Sequence, residues 1–324
     1  MLSSIAKLID TTDWRAQYDG CVKRLLSEKI ILAWILKECV EEFEPFSINK
    51  IMMDCIEGDV KVSVYAVDQD ELDYDESSIP SQMDGRNIED SSIQEGTVYY
   101  DIRFNAIVPD TKEPVQLIIN IEAQKDDKTT YPIIKRAIYY LSRMISAQKN
   151  KVFTNSHYEN IRKVYSIWIQ MNVDEDVQNS ITAYRFTEDN VVGSAREKKS
   201  DYDLLTAIML KLGNVTDDVE QPILRLLDVL LSAEKQPEEK KQVLEQDFNI
   251  PMSVSISKEV NEMCNLGQGL IEMTEVKTSA KFIIKLMKEK NYSLEEALEF
   301  ADVSDEVRER VVKIVDEMLA SPLS

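Results

Sequence analysis

The chain has one histidine, eight glycines, nine prolines and four cysteines among its 324 residues, and no two of the cysteines form a CxxC pair. Each scarcity excludes something. A lone His157 with Cys21, Cys39, Cys55 and Cys264 scattered along the chain offers neither a zinc-ligand set nor a disulfide framework, and predicts reduced thiols. His157 lies in TNSHYEN, away from any Ser or Cys nucleophile motif, so nucleophile–histidine catalysis has no footing. Neither GxxxxGK[ST] nor GxGxxG occurs, which removes support for nucleotide hydrolysis. Apolar runs such as IILAWIL from Ile30 fall far short of the roughly 18 residues that cross a bilayer, so no membrane partner is expected. The opening MLSSIAKLIDTTDWRAQ has no apolar core followed by a small-residue cleavage site; no secretion leader is expected, and the expected location is cytoplasmic.

Positive charge is also short, with 38 Lys and Arg against 59 Asp and Glu and a formal net charge of -21. Such a chain repels nucleic acid at long range and does not coat DNA through bulk charge, yet a locally basic groove stays open. One window carries it. Between Lys125 and Lys163, nine Lys and Arg residues stand against three acids, a modest footprint of a nucleic-acid face.

A hydrophobic content of 44% marks a globular chain. Helical spacing predicts one helix from Val22 to about Phe43, and SINKIMMDCIEG predicts a shorter one opened by a serine cap. VKVSVYAVD (60–68) alternates as a strand, and the polar stretch after it reads as a long loop. Two strands, about 97–108 and 115–124, are joined by the turn PDTKEP. A helix over 130–148 follows, with Pro132 in its first turn. Strands are then expected at 162–173 and in SITAYRFTE, while DLLTAIMLKLG (203–213) fits strand or helix. Beyond Asn214 every periodic segment is helical. The expected organisation is an α/β (α+β) domain over 1–213 and an all-helical C-terminal region over 214–324. The last two helices are acidic, so a partner-binding or self-associating module, such as a homodimer interface, is expected there.

The stretch TVYYDIRFNAIVPDTKEPVQLIINIEAQ carries the chemistry. Strand alternation gives each run an apolar face and a polar one, with Asp101, Arg103 and Asn105 on the first polar face and Asn120, Glu122 and Gln124 on the second. A symmetric turn centred between Thr111 and Lys112 sets Asp101 directly opposite Glu122. Opposed carboxylates destabilise a hairpin unless a cation or a proton sits between them, and a hard divalent cation with oxygen ligands, most plausibly magnesium, fits that need. The alternative is an acidic pair on an exposed face of a chain rich in acids.

The order acid, turn, apolar strand, E-x-[KQ] and helix resembles the PD-(D/E)XK nuclease superfamily. EGTVYYDIRF, LIINIEAQ, YPIIKRAIYYLSRMISAQ, VYSIWIQM and NEMCNLGQG together resemble its "PD-(D/E)XK nuclease family transposase" group, related to the recombination-promoting nucleases. The resemblance implies a restriction-endonuclease-like core of mixed β-sheet flanked by helices, and a Mg²⁺- or Mn²⁺-dependent endonuclease acting on DNA. It gives Asp101 and Glu122 the metal, with the Ala123 carbonyl as a further ligand, and puts Gln124 where most of the superfamily has lysine. Glutamine can orient a water but brings no charge. Lys135 or Arg136 on the next helix are candidates to compensate, and Glu95, Glu28 and Glu42 are candidate extra acids. Each also reads as an ordinary surface or phosphate-contacting charge. The competing expectation is a degenerate nuclease fold that binds DNA or protein without cleaving.

Overall fold

The computed structural model describes residues 11–62, 89–92, 96–99, 101–111, 114–122, 131–171, 173–213, 221–232 and 235–320. Two compact units emerge: Asp19–Val260, and Met1–Tyr18 together with Asn261–Ser324.

The first unit is built on a six-stranded sheet in the order β1-β4-β5-β6-β8-β7. Its strands are β1 (Ile56–Val62), β4 (Ile102–Ile107), β5 (Pro114–Glu122), β6 (Val164–Gln170), β7 (Ser180–Arg185) and β8 (Leu205–Lys211). β1 and β5 each run antiparallel to β4 between them, β5, β6 and β8 run parallel, and β7 returns antiparallel on the far edge. Parallel neighbours need a crossover, and α4 (Ile133–Ser146) provides it between β5 and β6. Ala137, Tyr140, Leu141 and Met144 of α4 are buried against Val164 and Trp168 of β6 and Ala207 and Met209 of β8. Six of the seven β6 residues are buried, as a central strand covered on both faces requires. β7 is the opposite case: Tyr184 is exposed, and so is Phe186 just beyond its end.

The fold is mixed α/β, as the sequence indicates, and DLLTAIMLKLG is a strand. Several boundaries differ for visible reasons. The single helix expected from Val22 to Phe43 is two, α1 (Thr11–Leu26) and α2 (Lys29–Cys39). The Ser27 hydroxyl donates back to the Arg24 carbonyl at 2.6 Å, and Glu28 turns extended at φ -61, ψ 129. Ser47 does cap a helix, accepting from the Lys50 amide, but α3 (Ile48–Lys50) passes straight into a π-turn over Ile51–Cys55. Pro132 stands at the cap of α4, before its first turn. Part of the expected loop is strand: β2 (Glu89–Ser92) pairs with β3 (Gly96–Tyr99) in a separate two-stranded sheet. The strand expected over 97–108 is therefore broken, with Asp101 at a bend before β4.

After a short α5 (Lys199–Tyr202), α6 (Pro222–Leu231) and α7 (Pro237–Gln246) complete the first unit. Seven apolar residues of α6 are buried, and α6 packs on α2. Lys240 of α7 is fully buried and donates to the Leu230 and Ser232 carbonyls at 3.0 and 2.5 Å, satisfying carbonyls that the end of α6 leaves open. α8 (Val254–Lys290) is one continuous helix of 37 residues. In the second unit its C-terminal part, α9 (Leu294–Phe300) and α10 (Asp305–Ala320) share a core of Val276, Ala280, Ile283, Leu298, Val311 and Val315.

Candidate active site

Asp19 and Lys23 are one helical turn apart on α1, which places them on the same side of the helix. Lys23 is 3% exposed, and its ammonium lies 2.6 Å from an Asp19 oxygen and 2.8 Å from an Asp101 oxygen. Two carboxylates from separate elements thus converge on one cation. A buried ammonium is tolerated only with such partners. Burial pulls the Lys23 pKa down, but the Asp101 and Asp19 charges outweigh it and hold it above the ordinary value of 10.5. For Asp19 burial dominates: its pKa stays above the ordinary 3.8 although Lys23 lowers it, and the Asp101 charge adds to the rise. The asymmetry is physical. The one ammonium feels two attractive partners, whereas Asp19 is desolvated, gains one ammonium and is repelled by Asp101.

The hairpin register corrects the expected pairing. Ile102 pairs with Ile119 and Phe104 with Leu117, so continuing one step brings Asp101 level with Asn120, two residues short of Glu122. The turn is centred between Asp110 and Thr111, one position earlier than a symmetric PDTKEP turn would set it. An offset of two residues leaves the strand alternation in phase. Asp101 finds its opposite charge on α1 rather than across the strand. Glu122 is the last residue of β5, and its backbone partner is Gln170 of β6.

Glu95, Ala123 and Gln124 lie outside the described residues, as do Lys125 and Lys128 of the basic window. The rest of that window divides. Lys135 is exposed on α4. Arg136 is half-buried, donates to the Tyr140 hydroxyl at 3.2 Å and stacks over the Tyr140 and Trp168 rings. Arg143 is buried at 4% exposure. Glu28 accepts from the Ser255 hydroxyl at 3.0 Å. Tyr140 is core and Tyr139 is 46% exposed.

A second polar cluster forms around the starts of β6 and β8. Lys163 reaches Glu42 and Asp203 at 2.8 Å each, Tyr165 donates to Glu42 at 2.5 Å, and Lys199 reaches Glu41 at 2.9 Å. Burial and the Glu42 carboxylate push the Tyr165 phenol well above its ordinary pKa. Glu42 is thereby committed to tying the short helix Glu41–Phe43 to the sheet. The four cysteines are buried thiols outside any disulfide, and burial raises the Cys39 thiol to about 12, so it is not a nucleophile at neutral pH.

Lys23 and Asp19 are the members of this ion-paired cluster that strand-based reading misses. The signal in the sequence is the i,i+4 acid–lysine pair in YDGCVKRLL, but nothing local distinguishes it from a surface pair. Among the described residues no helix is long and apolar enough to cross a membrane. Searches of curated proteins and of solved structures returned no match. The family described as "PD-(D/E)XK nuclease family transposase" matches residues 87–268, more than half of the chain. That span holds Asp101, the hairpin, α4 and β6, and the β1-β4-β5-β6 order with its α4 crossover is the core that the family implies. The chain belongs to the PD-(D/E)XK nuclease family transposases.

Proposed function

We propose that the protein is a divalent-metal-dependent DNA endonuclease whose site is Asp101 and Glu122, assisted by Lys23. The observation that carries this reading is the convergence of Asp101 and Asp19 on a single cation, at 2.8 and 2.6 Å from the Lys23 ammonium. Hard carboxylate oxygens focused on one positive charge are the donor chemistry that Mg²⁺ or Mn²⁺ takes. Asp19, Asp101 and Lys23 sum to one negative charge, and Glu122 at the end of the neighbouring strand adds a second, which a divalent cation balances.

The residues that would hold the metal are Asp101 and Glu122, with the Ala123 carbonyl. When bound, it would stabilise charge on the phosphate and ease deprotonation of a water. The remaining work falls to the chain. Gln124 orients the attacking water through its amide. Lys23 supplies the fixed positive charge that the superfamily draws from the lysine which Gln124 replaces, and Asp19 holds its ammonium in place. The attacking water gives up a proton to solvent as its oxygen forms a new P–O bond, one ester P–O bond breaks, and the departing sugar oxygen takes a proton from solvent.

Nicking of supercoiled plasmid tests this. Wild type with Mg²⁺ or Mn²⁺ is expected to cut, chelator to abolish cutting, and Asp101→Ala or Glu122→Ala to lower the rate by about 100-fold or more, the scale of losing a group that stabilises transition-state charge. Equal rates for wild type and the double variant with both metals would sink the reading. A second reading, a nuclease fold that binds without cleaving, is favoured by the same ammonium, which already occupies the point where the two carboxylates meet. Its signature is metal-independent DNA binding without nicking.

A further inference from the structure

Charge in the second unit is unevenly spread over its helices. The exposed acids Glu295, Glu299, Asp302, Glu309 and Asp316 lie on α9, α10 and the turn between them, with Glu275 and Glu289 on α8. A row of basic residues occupies the last three turns of α8. Lys281, Lys285 and Lys288 recur at helical spacing, so they project from one side of α8, and all three are exposed. None has an ion pair among the described residues. The two arginines of α10 differ in this: Arg308 pairs with Glu295 and Arg310 with Glu272. The buried residues Val276, Ala280, Ile283 and Leu286 form the opposite side of the same helix, so the lysine row faces away from the unit's core.

Helix stability alone does not account for the row. Lysines in a last turn complement the helix dipole, and Lys288 and Lys290 sit there, but Lys281 and Lys285 lie further back, where that effect has faded. Glu289 is the nearest acid in sequence, four residues after Lys285, yet none of the three lysines pairs with it; three unneutralised cations in a chain of net charge -21 point to an anion from outside. From Lys281 to Lys288 the row spans ~10.5 Å along the helix axis. One strand of duplex DNA presents about three phosphates over that axial length.

We infer that the Lys281–Lys285–Lys288 face of α8 is a phosphate-backbone contact for duplex DNA. The inference deepens the nuclease reading and rests on it for the identity of the anion. It assigns the sequence-independent part of DNA binding to the helical region, whose overall acidity hides it. Phosphate contacts of this kind fix position on the duplex and carry no base specificity.

The test is equilibrium binding of the full-length protein to a fluorescent 30-base-pair duplex in EDTA, titrated with NaCl. Three lost phosphate contacts correspond to a fall of about 2.7 in the slope of log K against log salt, at roughly 0.9 per contact. K281Q/K285Q/K288Q is expected to show that loss, K285Q alone about a third of it, and K313Q on α10 none. Far-UV circular dichroism establishes that the triple variant is folded, and the graded single variant serves should it not be. Unchanged slopes in K285Q and the triple variant overturn the inference while leaving plasmid nicking intact. A wild type that nicks plasmid but shows no duplex binding in EDTA at low salt also overturns it. So does a triple variant whose DNA slope is unchanged but whose sedimentation coefficient falls, since the row would then hold the acidic helices of a second copy.

Discussion

Lys23 sets the electrostatic character of the candidate site. Its ammonium keeps Asp19 and Asp101 together, and removing it leaves two like charges in a poorly solvated place. Lys23→Met is therefore expected to cost about 3–5 kcal/mol at neutral pH, the range for stranding the partners of a buried charge. The variant should regain stability relative to wild type as pH falls, because protonation relieves the stranded carboxylates; thermal melts between pH 7.5 and 5 check this. In wild type the sign is opposite at the alkaline end. The Lys23 pKa is raised on folding, so its contribution is complete below about the ordinary 10.5 and is lost as pH climbs through the folded value. The raised Asp19 acts the other way, its desolvation cost being present at neutral pH and relieved on acidification. A Lys23→Met melt that tracks wild type across that range would show that the triad carries no such charge balance.

At the scale of elements, the sheet depends on close approaches that no side-chain pattern announces. A Cβ built on Gly213 would lie 2.5 Å from the Cβ of Gln178, an approach too short for side-chain rotation to relieve. Gly213→Ala should lower stability by about 1–3 kcal/mol, the cost of overpacking, without altering metal dependence; denaturant unfolding measures it. Such contacts mark the limit of what the sequence made legible. Period-two alternation found β4, β5, β6 and β7, and the apolar stripe of α4 found the crossover helix. The bend at Asp101 and the register of the hairpin escaped because both depend on the turn and on α1. A symmetric turn was the simplest assumption, and the chain places its turn one position away from it. Asp101 was legible as a candidate from its strand context, whereas its ion-pair partner Lys23, 78 positions earlier in the sequence, was not.

For the whole molecule, composition changes near Asn214 because the last strand ends at Lys211, yet the compact unit continues to Val260. The reason lies in α6, whose buried residues face α2, and in Phe248, which meets Trp34 of α2 edge-on at 5.4 Å between ring centroids. Each buried Leu or Ile contributes about 1.5–3 kcal/mol. A chain ending at Gly213 should therefore be insoluble or bind a hydrophobic dye strongly, whereas one ending after Val260 should not. Comparable solubility of the two would show that α6 and α7 are dispensable to the sheet.

The edge strand β7 carries one more consequence. Its outer hydrogen-bonding groups face no strand among the described residues, and Tyr184 and Phe186 stand exposed at 46% and 62%. An unguarded rim of this kind is a template for stacking identical molecules into fibrils or amorphous precipitate. Mutual repulsion between chains of charge -21 keeps such rims apart at neutral pH. The acidity that masks the lysine row of α8 thus doubles as colloidal protection, and it vanishes near the isoelectric point of about 4.6.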